Sequence, residues 1–418
     1  MLRTFHRLPS TKFSRAFSTQ GYLADKVRFN WEDGLDLKSL LTEDEVAISE
    51  TAHDFSQSYL YPKVIENSRT ENFSREVMKS FGELGLLGPT IQGYGCAGVS
   101  TASYGLIARE VERVDSGYRS ALSVQSSLVM LPINEFGSEE LKEKYLPRLA
   151  SGDLVGCFGL TEPNHGSDPA SMETTAKPHP TKKDTYVLNG SKMWITNSPL
   201  ADVMIVWAKL DGKVRGFLVD RNETKHGVIS TPKISNKVSL RASTTGSITL
   251  EDVEVPAAHL LSPVGLKGPF TCLNSARLGI AWGSMGALEE ALHLARNYSL
   301  ERTQFGQPLA KYQLIQKKLA DALTDLNYGF LAALQVSRLK DTGAYAPEMI
   351  SMIKRHNCDR ALENSRALMQ IFGGNAAADE YHIGRIVQNL QTVQTYEGQS
   401  DIHALILGRA VTGENAFF

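Results

Sequence analysis

The spacing of apolar and polar positions divides the chain into three regions. From about Thr42 to Leu149 apolar residues recur at helical intervals, through Leu84, Leu106, Ile107 and Val111. Thr42 and Glu45 open this region with a T-x-x-E capping box. From about Gly156 to Leu261 the spacing becomes that of strands. Two hairpins are predicted there. One runs from Tyr186 to Ile195 and turns at Asn189-Gly190; the other joins Val203–Leu210 to Lys213–Asp220 through Asp211-Gly212. Both dipeptides tolerate the positive φ angles of a two-residue turn. The polar stretch Lys177–Asp184, with two prolines, predicts an exposed loop. From about Pro269 to Val411 helical spacing returns. Trp282, Met285, Leu288, Leu292 and Ala295 mark one stripe, and Cys358, Ala361, Leu362 and Leu368 mark another that Gly373-Gly374 is placed to cap.

The class is therefore α+β, with an N-terminal helical domain (37–152), a middle β-sheet domain (153–265) and a C-terminal helical domain (266–418). A chain of 418 residues exceeds what one hydrophobic core supports, which agrees with several domains. The formal net charge of −2 gives no sign of nucleic-acid binding. No apolar run approaches membrane-spanning length. Cys96, Cys157, Cys272 and Cys358 are scattered without a C-x-x-C pair, the pattern of reduced intracellular thiols rather than of disulfides or a metal site. Residues 1–20 differ from the rest: Arg3, Arg7, Lys12 and Arg15 are interspersed with Phe5, Leu8, Phe13 and Phe17, with no acid before Asp25. That is the composition of a mitochondrial transit peptide, and it predicts a matrix location.

The candidate chemistry begins at Phe158-Gly-Leu-Thr-Glu-Pro-Asn-His-Gly-Ser-Asp168, followed by Trp194-Ile-Thr-Asn197. Together they place glycines, small polar residues and one flat aromatic at the turns of a β-rich segment. A planar, hydrogen-bonding cofactor such as a flavin needs donors toward its edge and an aromatic wall over one face.

These two segments reproduce T-E-P-x-x-G-S-D and W-I-T-N, and the chain resembles the acyl-CoA dehydrogenase family from about Leu37 onward. The resemblance implies FAD as cofactor and a C-terminal four-helix bundle. It assigns the flavin to Phe158, Gly159, Leu160, Thr161, Gly166, Ser167, Trp194, Ile195 and Thr196. Gln394-Thr-Tyr396-Glu397-Gly398 matches the family's Y-E-G segment and nominates Glu397 as the base that removes the α proton of an acyl thioester. Some members carry the base on a helix just before an Arg; here that Arg is Arg277, and Ala276 precedes it. Ser167, Phe270, Asn274, Arg277 and Gly398 match the substrate side. Arg302, Phe305, Gln313, Gln370, Gly373, Gly374 and Gln399 match further FAD contacts, several of them made across subunits, which implies a homotetramer.

Within the family the resemblance is nearest to the members acting on glutaryl-CoA. In those, an Arg at the place of Arg119, beside Ser120 and linked to a Glu at the place of Glu112, holds the distal carboxylate. A guanidinium fork suits that task, because it offers paired, charge-assisted hydrogen bonds. The implied reaction is oxidative decarboxylation to crotonyl-CoA and CO2, a step of lysine and tryptophan degradation, with electrons passed to an electron-transferring flavoprotein. Three other readings stay open: a short-chain dehydrogenase without decarboxylation, an acyl-CoA oxidase, and a helical partner protein that has lost FAD. The chain also departs from the family's pattern. Gln399 stands where Thr is usual, Ala376 where the pattern has Gly, and His165 where a smaller residue is common. If Ala376 sat at positive φ it would cost about 1 kcal/mol.

Overall fold

The computed structural model describes residues 28–416, so the expected transit peptide lies outside the described residues. Seven helices come first: α1 (Glu43–Phe55), α2 (Val64–Thr70), α3 (Arg75–Glu83), α4 (Thr101–Val114), α5 (Ser116–Ser123), α6 (Leu131–Phe136) and α7 (Glu139–Ala150). The capping box forms as its residues dictate. Thr42 Oγ1 accepts from the Glu45 N–H at 3.2 Å, and Glu45 Oε2 accepts from the Thr42 N–H at 3.0 Å. Glu45 is also gripped by Arg338. Burial alone would raise its pKa, but Arg338 and the Thr42 N–H pull it down to about 2. Its stabilising effect is therefore present above the ordinary carboxylate pKa and is lost as pH falls toward 2. Replacing Thr42 by Ala is expected to cost about 1 kcal/mol, read as a lower urea midpoint with an unchanged slope.

Strands β1 (Gly156–Gly159), β2 (Thr175–Pro178), β3 (Thr185–Thr196), β4 (Val203–Leu210), β5 (Lys213–Asp220), β6 (Ile229–Ser230), β7 (Thr245–Pro256) and β8 (Leu260–Val264) form one mixed sheet. Its order is β6-β7-β3-β2-β4-β5-β8, with β1 pairing β4 in parallel. β4 is apolar except at Lys209 because both of its faces are covered. Val203, Ile205 and Trp207 face the N-terminal helices, while Met204, Val206 and Ala208 join a separate core with Leu188, Phe217 and Val253.

The Asp211-Gly212 hairpin is present: Leu210 pairs with Lys213, and the two turn residues have φ of 50° and 74°. The Asn189-Gly190 hairpin is not. β3 runs straight through it and pairs along its length with β7. Asn189 instead bonds Asp252 through both side-chain atoms, and Gly190, at φ 146°, makes a bulge where a Cβ would lie 2.5 Å from Thr174 Oγ1. The dipeptide supplies a bulge rather than a reversal.

After the sheet come α8 (Lys267–Glu301), a small hairpin of β9 (Thr303–Gln304) and β10 (Gln307–Pro308), then α9 (Gln313–Asp341), α10 (Pro347–Met369), α11 (Ile383–Thr395) and α12 (Ser400–Thr412). α8 to α11 form the C-terminal bundle, with both predicted stripes buried in one core that also takes in Ala102, Leu106 and Ala108 of α4. α10 ends at Met369, earlier than the predicted glycine cap, and Gly373 (φ 57°, ψ −133°) kinks the turn that follows. Leu84, counted in the helical spacing, falls just beyond α3 and is 40% exposed. Between α4 and α8 lies a charged seam. Arg109 pairs with Glu289 at 2.8 and 2.7 Å, and Arg113 with Glu290 at 3.1 Å.

Candidate active site

β1 delivers Leu160 and Thr161 to the edge of the sheet, and the Met193 N–H donates to the Thr161 carbonyl at 2.9 Å. That bond sets the Thr-Glu-Pro loop beside Trp194–Asn197. Glu162 fixes the loop from within, accepting from the Thr174 N–H at 3.0 Å and from Lys192 Nζ at 2.8 Å. Burial opposes its ionisation, but the Glu173 N–H and Lys192 hold its pKa down to about 2. Asn197 is buried and donates to the Ala121 and Gly156 carbonyls, joining the sheet to α5.

Trp194 sits at a bulge, with φ 61° and its side chain 59% exposed, whereas Trp207 and Trp282 are fully buried. Thr161 and Thr196 are half-buried, Gly166 and Ser167 exposed, and nothing lies within 4 Å of a Cβ built at Gly166. An uncovered indole beside hydroxyls and open backbone is what a planar ring with a polar edge requires. Ile195, Phe158 and Leu160 turn their side chains into cores, so only their main chains, with that of Gly159, are available to such a ring.

Glu397 lies on the turn between α11 and α12, in left-handed backbone (φ 54°), followed by Gly398 (φ 96°). Its carbonyl accepts from Arg277 Nε at 2.7 Å, and its Oε2 is buried without a hydrogen bond from any described residue. Burial raises its pKa against the pull of Arg119, Arg277 and Lys354. A carboxylate with one buried, unpartnered oxygen and raised proton affinity is equipped to take a proton from carbon. Ala276 is fully buried in the core, so no carboxylate occupies the alternative position. Asn274 is half-buried and bonds Arg277 at 3.2 Å, while Phe270 is 39% exposed near the start of α8.

Arg119 is 1% exposed; its Nε donates to Glu112 Oε2 at 2.5 Å and its Nη2 to the Tyr396 hydroxyl, which also meets Ser120 Oγ at 3.2 Å. Burial would strip its proton, but Glu112 and Tyr396 keep it charged. Asp115 ties this helix to the base. It caps α5 through the Gly117 N–H at 2.7 Å and accepts from Arg385 and Asn389 of α11 at 2.9 and 2.8 Å. Gly283 of α8 makes room for the ion pair: a Cβ there would lie 2.0 Å from Glu112 Oε2. Sequence reasoning missed Tyr396 and Gly283 as site residues. Tyr396 adjoins the base and was within reach of that reading; Gly283 carries no local signal.

Arg302, Phe305, Gln313, Gln370, Gly373 and Gly374 are all exposed, Phe305 at 95%. Arg302 follows Arg277 by 25 residues of α8 and its cap, about 37 Å at the rise of an α-helix. Gln399 is half-buried at the start of α12 and makes no side-chain cap bond. Ala376 is buried and is not among the described residues with positive φ, so the strain considered for it does not arise.

Profiles described as the N-terminal, middle and C-terminal domains of acyl-CoA dehydrogenase match residues 42–153, 157–253 and 265–412. An acyl-CoA dehydrogenase of Bacillus subtilis is 34% identical over 381 residues, covering 89% of this chain and 99% of its own. A short-chain-specific acyl-CoA dehydrogenase of Megasphaera elsdenii is 33% identical over 390 residues, 89% and 98% of the two chains. A glutaryl-CoA dehydrogenase of Mycobacterium smegmatis, solved with FADH2, superposes with a TM-score of 0.89 at 44% identity, covering 93% and 99%. The chain belongs to the acyl-CoA dehydrogenase family. It is an FAD-dependent acyl-CoA dehydrogenase, and the exposed Trp194 beside the Thr-Glu-Pro loop fits that cofactor.

Proposed function

We propose that this enzyme oxidises and decarboxylates glutaryl-CoA to crotonyl-CoA and CO2, passing electrons to an electron-transferring flavoprotein. The observation that carries the reading is Arg119, a charged guanidinium held inside the same site as Glu397. An alkyl tail gains nothing from a buried cation, whereas a distal carboxylate gains charge-assisted hydrogen bonds. The Tyr396 hydroxyl on Nη2 is the neutral group such a carboxylate would displace or share.

Glu397 removes the α proton. Trp194 and the Thr-Glu-Pro loop would hold FAD, which when bound would supply the acceptor for the β hydride. The main-chain N–H of Glu397 would serve as a protein donor to the thioester oxygen, where charge develops. In the resulting enoyl thioester the carboxylate is vinylogous to the carbonyl. Its C–C bond breaks, CO2 leaves, and the electron pair enters the conjugated thioester. Protonated Glu397 then returns the proton, which yields crotonyl-CoA. Arg302, about 37 Å along α8 from Arg277, and Phe305 in the hairpin after it support a second subunit completing each FAD site, as in a homotetramer.

The test is to incubate FAD-loaded enzyme with carboxyl-labelled glutaryl-CoA and an artificial electron acceptor. Flavin bleaching with matching release of CO2 is the expected result. Bleaching without CO2 would leave a non-decarboxylating dehydrogenase, and bleaching with butyryl-CoA alone would mean Arg119 does not read a carboxylate.

A further inference from the structure

Lys354, on α10, is completely buried, and beyond its pull on the Glu397 carboxyl the chemistry above gives it no role. Its Nζ lies 3.0 Å from the Gln394 carbonyl, 3.0 Å from that of Tyr396 and 2.7 Å from that of Gly398. Burial lowers its proton affinity, but three acceptors need three hydrogens, so the group they surround is an ammonium rather than an amine. The acceptors are consecutive in purpose. Gln394 is in the last turn of α11, where carbonyls lack helical partners, and Tyr396 and Gly398 flank the base on either side. Glu397's own carbonyl goes to Arg277 Nε at 2.7 Å. Asp359, one turn along α10 from Lys354, accepts from Gln394 Nε2 and Ser400 Oγ, both at 2.7 Å, closing the turn at its two ends.

We propose that Lys354 is a positioning residue for the base: it holds the left-handed turn that aims Glu397 and places a fixed positive charge behind it. Left-handed backbone at a glutamate is uphill and persists only when its surroundings enforce it. Lys354 enforces it through main-chain atoms, which leaves the buried Oε2 of the carboxylate without a partner. The charge acts in the same direction, favouring the ionised base inside a site that burial would otherwise neutralise. Other groups bear on Glu397 from the elements around it: Arg119 from α5, Arg277 from α8, Tyr104 from α4, and Tyr396 on the turn, with Glu112 of α4 reaching it only through Arg119 and Tyr396. His403 of α12 is neutral, its pKa pushed down to about 3 by burial and by Arg277 and Lys354.

This inference rests on Glu397 being the base, so the experiment includes Glu397→Gln as a control. Lys354→Met keeps the length without charge or donors, and Lys354→Gln keeps donors without charge. Both are compared with wild type as FAD-loaded protein on glutaryl-CoA and butyryl-CoA, recording kcat and KM per bound flavin across pH. Both variants should lose kcat, Lys354→Met by about a hundredfold, as for a slightly misplaced catalytic group, with KM changed less than threefold. The acidic limb of the kcat profile should move to higher pH in both, because the charge that favoured the carboxylate is gone, and Lys354→Gln should retain more rate. A kcat per flavin and a pH limb equal to wild type would overturn the proposal. So would a loss of rate with no movement of the limb, or failure of both variants to accumulate as folded flavoprotein, either of which makes Lys354 a group of the fold alone. Full activity in Glu397→Gln would instead overturn the reading of the base.

Discussion

Glu397→Gln is expected to lower kcat by about 10³-fold while leaving flavin content and KM near wild type, because one positioned base is worth about 10²–10⁴-fold. The same substitution should not weaken the fold. Burial raises the carboxyl's pKa in the folded enzyme, so the folded state binds the proton more tightly than the unfolded chain does. Its contribution to stability is therefore full below the unfolded pKa and is lost as pH rises through the folded value. At neutral pH the wild-type carboxylate is a burden on the fold, and the amide relieves it. Thermal melting at pH 7 should show the variant as stable as wild type or more so. The wild-type acidic limb of kcat/KM should lie above the ordinary carboxylate range. A variant that melts earlier, or a limb near pH 4, would contradict the assignment of Glu397 as a desolvated base.

Replacing Arg119 is the second large effect, and it has two separable parts. Arg119→Leu removes the group proposed to bind the distal carboxylate, and two charge-assisted bonds at about 1.5–3 kcal/mol each correspond to about 10²–10⁴-fold in kcat/KM for glutaryl-CoA. It also strands Glu112, buried at 1% exposure, without its cation, which costs about 3–5 kcal/mol of stability. The double variant Glu112→Gln, Arg119→Leu separates the two. It should recover most of the lost stability by urea titration and recover none of the glutaryl-CoA turnover. Butyryl-CoA should be oxidised by the double variant at least as well as by wild type, because its tail no longer meets a charge. Equal loss with both substrates would make Arg119 a structural residue.

Local pattern made much of this molecule legible, and long-range contact made the rest of it. The capping box, the Asp-Gly hairpin and the two buried stripes of the C-terminal helices depend on residues a few positions apart, and they stand as expected. Asn189-Gly190 carries the same local signal as Asp211-Gly212 but has a different outcome. What decides it is Asp252, 63 residues later in sequence, which takes both polar atoms of Asn189 and holds β3 straight against β7. The site divides in the same way. Glu397 and Trp194 are marked by motifs, whereas Lys354 and Gly283 act on main chain and on side chains of distant elements. A lysine and a glycine inside helices look like any others until the turn or the ion pair they serve is in place.

The charged seam between α4 and α8 also bears on how the enzyme is made. Arg109 and its partner Glu289 are 180 residues apart, so at about 5–20 residues per second a ribosome needs about 10–35 s to supply the second after the first. Throughout that interval the apolar face of α4, with Ala102, Leu106 and Ala108, has no helix to lie against. Arg109 and Arg113 stand on that same helix, and their glutamate partners arrive only with α8, so the seam and the apolar contact beside it close together.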